Sequence, residues 1–422
     1  MKYLVLFLLM ICQLACAAPR EIDDHHWDGV ERIIAIGDLH GDYDHYLAAL
    51  QAAGLVNAKG KWSGGTTHLV QTGDVPDRGP DTVKIIEHLG KLTKEARRKG
   101  GRVHNLTGNH EAMNVYGDLR YVSAGEYEEF VNRNSTNLRD RYFSLVMQNL
   151  QQSDPAGFAA LPENYRQEWD QTHPLGWVEH QQAWNTAWNP DAKFAAWVLQ
   201  QKVAIQINDL VFLHGGISGF YCRNSLQSLT AMVASGLRAF DQANPGILQD
   251  EFGPLWYRGL SGVEPVAAPE TVQAVLEQHN AGHIVVGHTP TSGVIWPRYD
   301  GKVIQIDTGI SAAYGGYVAY LEITPSGLFA GYPKGKIKLP ADESGLVSYL
   351  EQVIALEPGN THLQQRLAAL TAPPVVVEEN ATAAEPEQSA GQQTEAATEP
   401  AVEGGETAVP EPLTVPICGI SE

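Results

Sequence analysis

The chain has 422 residues, with 29 Lys and Arg against 49 Asp and Glu, a formal net charge of −20, and 43% aliphatic and aromatic residues. That apolar share excludes a chain disordered throughout. The acidic excess excludes the basic footprint a nucleic-acid binder needs, and it disfavours adsorption to anionic membranes. Length alone suits roughly two or three domains.

Residues 1–17 read as a secretory signal peptide, with Lys2, an apolar run over 3–12, and small residues at Ala15 and Ala17. The run is shorter than the ~20 residues of a transmembrane helix. The expectation is an exported protein, periplasmic or secreted. Cys16 raises a lipid anchor, but Gln13 stands where a lipobox usually has Leu.

Residues 18–370 read as one catalytic domain. Six short apolar runs, at 32–36, 68–71, 103–106, 210–213, 283–286 and 303–306, each end in a polar cluster next to glycine. Runs of this length suit buried strands. The clusters are Gly37-Asp38-Leu39-His40-Gly41-Asp42, Gly73-Asp74-Val75-Pro76-Asp77-Arg78-Gly79, Gly108-Asn109-His110-Glu111, His214-Gly215-Gly216, Gly287-His288 and Asp307-Thr308-Gly309. Helical spacing at 43–53 and 81–90 predicts βαβ units and a sheet buried on both faces. Ligands of such folds sit at the carboxyl ends of the strands, where all six clusters lie. Residues 115–201 break the pattern and read as a helical insertion packing over or beside the site, with helices at 124–132, 141–152 and 182–201.

The segment 371–422 holds ten Glu and no Lys, Arg or Asp, so it carries half of the net −20. Its Ala, Glu, Pro and Thr composition predicts a disordered tail, because too little apolar surface offsets the entropy of ordering. Its last stretch, 412–418, is more apolar and suits docking. Of the four cysteines, Cys12 and Cys16 fall in the leader. An exported chain could pair Cys222 with Cys418, but the position of Cys418 near the end of the tail makes pairing unexpected. No Cys-x-x-Cys motif occurs, which excludes thiolate zinc sites.

A hard divalent metal takes carboxylate, imidazole and amide oxygen ligands. Asp38, His40, Asp74, Asn109, His214 and His288 supply enough for two divalent ions sharing the Asp74 carboxylate. Such a pair can hold both ends of an in-line displacement at phosphorus. Mn, Fe or Zn would fit these ligands. Arg78 and Arg258 offer guanidinium forks matched to phosphate oxygens. His110 can protonate the leaving oxygen, with Asp77 orienting it.

The first three clusters resemble the signature blocks of calcineurin-like metallophosphoesterases. Asp77-Arg78-Gly79 and Asn109-His110-Glu111 resemble the phosphoprotein-phosphatase branch. The stretches 111–122, with Gly117-Asp118-Leu119-Arg120-Tyr121-Val122, then 254–259 and 285–290, are similar to Shewanella-like protein phosphatases, a group that includes bacterial enzymes resembling the cold-active protein tyrosine phosphatase. The resemblance implies an α/β fold with a central β-sandwich flanked by helices. It implies phosphomonoester hydrolysis by a hydroxide shared between two metals, without a phosphoenzyme. It also implies metal roles for Asp38, His40, Asp74, Asn109, His214 and His288, an acid role for His110 beside Asp77, and phosphate binding by Arg78, Arg258 and Asn109. Residues 117–122 have no role beyond shaping the pocket wall. Asp42 stands where eukaryotic relatives often have Gln. It reads equally as an extra carboxylate near the metals or as a helix-start Asp.

The expected substrate is a phosphorylated protein, a peptide or a small phosphomonoester. A nucleotide or dinucleoside polyphosphate hydrolase is the alternative enzyme. An inactive binding protein on the same scaffold is the alternative of another class, against which the intact ligand set argues.

Overall fold

The computed structural model describes residues 20–372 and 415–418. The signal peptide expected over 1–17 and most of the tail expected to be disordered over 371–422 lie outside the described residues. Among the described residues thirteen strands form two mixed sheets. They are β1 (Arg20–Asp23), β2 (His26–Asp28), β3 (Ile33–Ile36), β4 (His68–Gln71), β5 (Arg102–Asn105), β6 (Ala204–Ile207), β7 (Leu210–Leu213), β8 (His283–Val286), β9 (Trp296–Arg298), β10 (Val303–Gln305), β11 (Tyr320–Thr324), β12 (Gly327–Tyr332) and β13 (Gly335–Lys338). One sheet runs β13-β12-β11-β3-β4-β5, the other β1-β2-β6-β7-β8-β10-β9. The six strands legible from sequence divide three and three. β3, β4 and β5 are parallel in the first sheet, and β7, β8 and β10 are parallel in the second.

The apolar runs are continuous because both faces of most of these strands are covered; β5, at the sheet edge, is half-buried. Ile33, Ala35 and Val70 point inward to meet Ile205, Phe212, Val285 and Ile304 of the opposite sheet. Their neighbours Ile34, Ile36, Leu69, Val211, Leu213, Ile284 and Val286 belong to a second core that helices cover. Each Ile, Leu, Val or Phe side chain among them contributes about 1.5–3 kcal/mol on burial. The result is a β-sandwich between helical layers, the α/β arrangement expected from the resemblance. Sequence reading did not find β1, β2, β6, β9 or β11–β13. None of them ends in a polar cluster, and several are antiparallel edge or hairpin strands.

Helix α1 (Tyr43–Ala52) matches its predicted position. Helix α2 (Thr82–Arg97) runs seven residues past the expected Gly90. Leu89, Leu92 and Ala96 continue its buried stripe, and that packing overrides the weak helix propensity of a single glycine. Helix α3 (Asn109–Tyr116) carries the third cluster on its first turn. Beyond it lie α4 (Ala124–Glu128), α5 (Ser135–Ser153), α6 (Pro155–Ala159), α7 (Tyr165–Thr172), α8 (Trp177–Trp184) and α9 (Lys193–Val198). The helix expected over 182–201 is in fact two pieces. Asn185 turns the chain by accepting from Ala187 N (2.9 Å), and Pro190 lies in the gap.

Helices α10 (Leu226–Arg238) and α11 (Pro269–His279) cover the second sheet, and α12 (Leu346–Leu356) and α13 (Thr361–Thr371) close the C-terminal side. Among the described residues no helix is long and apolar enough to cross a membrane.

Cys222 and Cys418 are joined in a disulfide, against expectation. The reason is the apolar end of the tail. Val415 packs on the core beside Cys418, whose N–H donates to Thr271 Oγ1 (3.4 Å), and this brings the thiol to Cys222.

Candidate active site

The carboxyl ends of the three parallel strands of each sheet meet at one rim. Of the candidate metal-ligating, acid and phosphate-binding residues, all except the two arginines are buried there: Asp38, His40, Asp74, Asp77, Asn109, His110, His214 and His288. The turns that deliver them are strained. His40, Asp74, Asp77, Arg78 and His288 all have φ between 44° and 73°, a left-handed conformation that costs a non-glycine residue about 1–2 kcal/mol. Five such residues cluster around one site, the pattern that strained backbone follows at functional sites. Two glycines are required by close approach. A Cβ on Gly108 would lie 2.2 Å from Asp74 Oδ1, and one on Gly287 would lie 2.5 Å from Asp38 Oδ1.

Hydrogen bonds behind the site fix the imidazole tautomers. His214 Nδ1 donates to the Thr72 carbonyl (3.0 Å), His288 Nε2 to the Trp256 carbonyl (3.1 Å) and His40 Nδ1 to the Pro76 carbonyl (3.2 Å). The opposite nitrogens are therefore lone pairs directed into the site. His214 Nε2 faces Asn109 Oδ1 at 2.9 Å, His288 Nδ1 at 3.0 Å and Asp74 Oδ2 at 3.3 Å. Three of these atoms converge on the fourth, His214 Nε2, a donor set of imidazole, amide and carboxylate that suits a metal cation. His40 Nε2 and His110 Nε2 each lie 3.8 Å from Asp74 Oδ2 on the other side. Asp74 thus belongs to two candidate metal groups, one with His214 and His288 and one with His40 and His110.

Electrostatics separate the histidines. Burial and the neighbouring His110 push His40 down to about 3. Burial, Arg258 and His214 hold His288 well below the usual range. Both are held toward the neutral form, the one in which an imidazole can bind a metal. At His110 burial opposes the charge, but the Asp74 and Asp77 carboxylates outweigh it and raise its pKa. Its Nδ1–H donates to Asp77 Oδ2 at 2.5 Å, and Asn114 Nδ2 donates to Asp77 Oδ1 at 2.9 Å. His110 therefore approaches a candidate metal group yet carries the features of an acid.

Asp38 lies at the edge of this arrangement. Its carboxylate accepts the His288 N–H at 3.1 Å and stands 3.9 Å from His214 Nδ1. Burial, then Asp307 and Asp74, push its carboxyl well above the usual range, and burial lifts Asp307 up to about 6. Three buried carboxylates that repel one another's charge fit a site built for cations. Asp307 carried no assigned role in the sequence, although it ends the sixth strand as Asp38 ends the first.

Arg78 and Arg258 approach from two sides. Arg78 stacks on Tyr121, its Cζ 4.0 Å from the ring centroid, and its Nε has no hydrogen-bond partner among the described residues. Arg258 Nη1 donates to the His288 carbonyl and to Thr289 Oγ1 (3.3 Å). Tyr121 also lies 5.1 Å from His110, and Tyr314 lies 5.1 Å from His40 and 5.8 Å from Arg78. These two tyrosines wall the site. Tyr121 gives the stretch 117–122 its role, whereas no motif in the sequence signals Tyr314. Asp42 caps α1, accepting from His45 N (3.1 Å) and bonding His45 Nδ1 (2.7 Å), and it ties down Ala312 N (2.8 Å). The helix-start reading of Asp42 therefore holds. Beside the site opens a cavity of about 510 Å³, lined by Tyr116, Asp118, Arg120, Phe240, Gln242 and Gln249.

Residues 31–292 match the calcineurin-like phosphoesterase family. Shewanella-like protein phosphatase 2 of Arabidopsis thaliana is 31% identical over 306 residues, 70% of this chain and 75% of that protein. Shewanella-like protein phosphatase 1 of Plasmodium berghei is 29% identical over 315 residues, 71% and 73% respectively. The crystal structure of the cold-active protein-tyrosine phosphatase of a psychrophilic Shewanella species aligns with a TM-score of 0.56 at 26% identity, covering 76% of this chain and 83% of that one. Sandwich, strand-end histidines and relatives converge: the chain belongs to the calcineurin-like phosphoesterase family, is similar to its Shewanella-like protein phosphatases, and is a metal-dependent phosphoester hydrolase.

Proposed function

We propose that this protein is a dinuclear phosphomonoesterase acting on phosphorylated protein, at phosphotyrosine or phosphoserine/threonine. The observation that carries the reading is the convergence of lone pairs on both sides of Asp74 Oδ2. His214, His288, Asn109 and Asp74 would hold one ion, and His40, Asp74 and Asp38 the other. Divalent ions held there would supply charge neutralisation and a water nucleophile of lowered pKa. Arg78 and Arg258 would bind the phosphate oxygens, with Asn109 facing them. His110 would donate its Nε2 proton to the leaving oxygen while Asp77 holds Nδ1–H. The names of the Arabidopsis relative and the Shewanella structure support a protein substrate.

The test is Asp74→Asn. Asp74 Oδ1 accepts the His110 N–H at 3.0 Å, so the amide oxygen must stay there and its NH2 must face both metal positions. Turnover of a phosphotyrosyl peptide should fall at least about a thousandfold, with loss of bound metal. Unchanged turnover would refute the shared-carboxylate mechanism. Faster release of product from diadenosine tetraphosphate than from phosphotyrosyl and phosphoseryl peptides would refute the substrate class.

We also place the protein outside the cytosol, periplasmic or secreted. The sequence features of residues 1–17 and the Cys222–Cys418 disulfide support this. Terminal sequencing of the exported chain should begin at Ala18; a full-length cytosolic chain would contradict it.

A further inference from the structure

The segment just after α3 grips the loop that carries Asp77 and Arg78. Arg78 N donates to the Tyr121 carbonyl (2.9 Å), and Ser123 Oγ donates to the Gly79 carbonyl (2.9 Å). Val83 N and Lys84 N donate to Glu129 (2.7 and 3.2 Å), which fixes the start of α2. At the centre, Asp77 N donates to Glu126 Oε2 at 2.9 Å. Glu126 lies on α4 and is fully buried, as is Asp77. Its other oxygen stands 3.7 Å from Nε2 of the buried His180 on α8. Glu126 is not among the residues to which the reaction gives work, yet a buried carboxylate is costly and requires a reason.

That reason lies in the backbone. Asp77 and Arg78 are consecutive residues in the left-handed region, with φ of 73° and 67°. Such a pair persists only where its surroundings over-determine it. The Asp77 N–H would be an orphaned buried donor without Glu126. We propose that Glu126 is a positioning residue of the reaction: it holds the Asp77 backbone so that the Asp77 carboxylate meets His110 Nδ1, and it makes the helical insertion part of the catalytic machinery. The inference rests on the reading of His110 as the acid that protonates the leaving oxygen.

The test uses the metal-loaded full chain and two substrates. Protonation matters greatly for a phosphotyrosyl peptide and little for p-nitrophenyl phosphate, whose leaving group is a far more stable anion. Glu126→Ala should lower kcat on the peptide at least about tenfold more than on p-nitrophenyl phosphate, with KM moving less than about threefold. Glu126→Gln keeps an acceptor for Asp77 N and should stay within about threefold of wild type on both substrates. Glu126→Asp, too short to reach, should behave as the alanine variant and serves if that variant folds poorly. Metal content and melting temperature are read in parallel. Equal losses on both substrates, no loss, or a glutamine variant as impaired as alanine would overturn the proposal. His110→Asn is the control. If it shows the substrate split and Glu126→Ala does not, only the role of Glu126 fails. If His110→Asn shows no split, the acid reading fails and the inference with it.

Discussion

Replacing Asp77 by Asn tests the His110 dyad with a magnitude that follows from the geometry. The carboxylate accepts two donors, His110 Nδ1–H at Oδ2 and Asn114 Nδ2–H at Oδ1. An amide of the same shape has one acceptor, so its NH2 must face a donor in either orientation. Flipping Asn114 would relieve one clash, but Asn114 Nδ2 also serves the His110 carbonyl at 3.0 Å, and the flip would set oxygen against oxygen. The imidazole therefore loses a charge-assisted hydrogen bond in a fully buried position, worth about 1.5–3 kcal/mol. At 1.36 kcal/mol per decade this is roughly a 10- to 150-fold loss of kcat. Steady-state assays on a phosphotyrosyl peptide should show it, and assays on p-nitrophenyl phosphate should show less. An Asn variant within about threefold of wild type on the peptide would refute the reasoning, because the hydrogen bond would then not support the chemistry.

Two predictions concern stability. His68 Nδ1 and His104 Nε2 are hydrogen-bonded at 3.1 Å; burial, with Arg102, pushes His68 down to about 4, and burial, with His68 and Arg102, holds His104 well below its usual range. Both pKa values are depressed, so the unfolded chain binds more protons between about pH 6.5 and 4, and stability falls as pH falls through that window, by up to about 3 kcal/mol from His68 alone. Urea unfolding of His68→Gln/His104→Gln should lose less stability than wild type between pH 7.5 and 5; parallel losses would contradict this. The Cys222–Cys418 link closes a sequence separation of 196 residues, so Cys222→Ser/Cys418→Ser should destabilise by about 2–4 kcal/mol, and reductant should bring wild type down to the variant. A melting temperature of wild type unmoved by reductant would contradict it.

The site was legible because metal ligands need particular residue types next to strand ends, and those strands are apolar on both faces. That pattern singled out Asp38, His40, Asp74, Asn109, His214 and His288 and the pair His110–Asp77, which the structure brings to one rim as a candidate site. It did not show the division of six strands between two sheets, since a strand covered by helix and sheet reads the same from either sheet. Asp307 was visible as a strand-end carboxylate but had no partner in sequence to reveal that its charge disfavours that of Asp38. Tyr314, in a short turn after Ser311, and Glu126, one acidic residue among several at 126–129, gain meaning only from what they touch. Pairing of Cys418 is possible but not expected from sequence because the tail's composition suggests mobility, while Val415 and Cys418 pack on the core.

The central claim is that two ions share Asp74. It is tested most directly by stripping the full chain of metal and restoring manganese stepwise, with bound metal and phosphotyrosyl-peptide turnover measured at each step. Turnover should rise with occupancy and level off at about two ions per chain, and Asp74→Asn should reach neither that occupancy nor that rate. Full turnover at one ion per chain, or in the stripped protein, would contradict it.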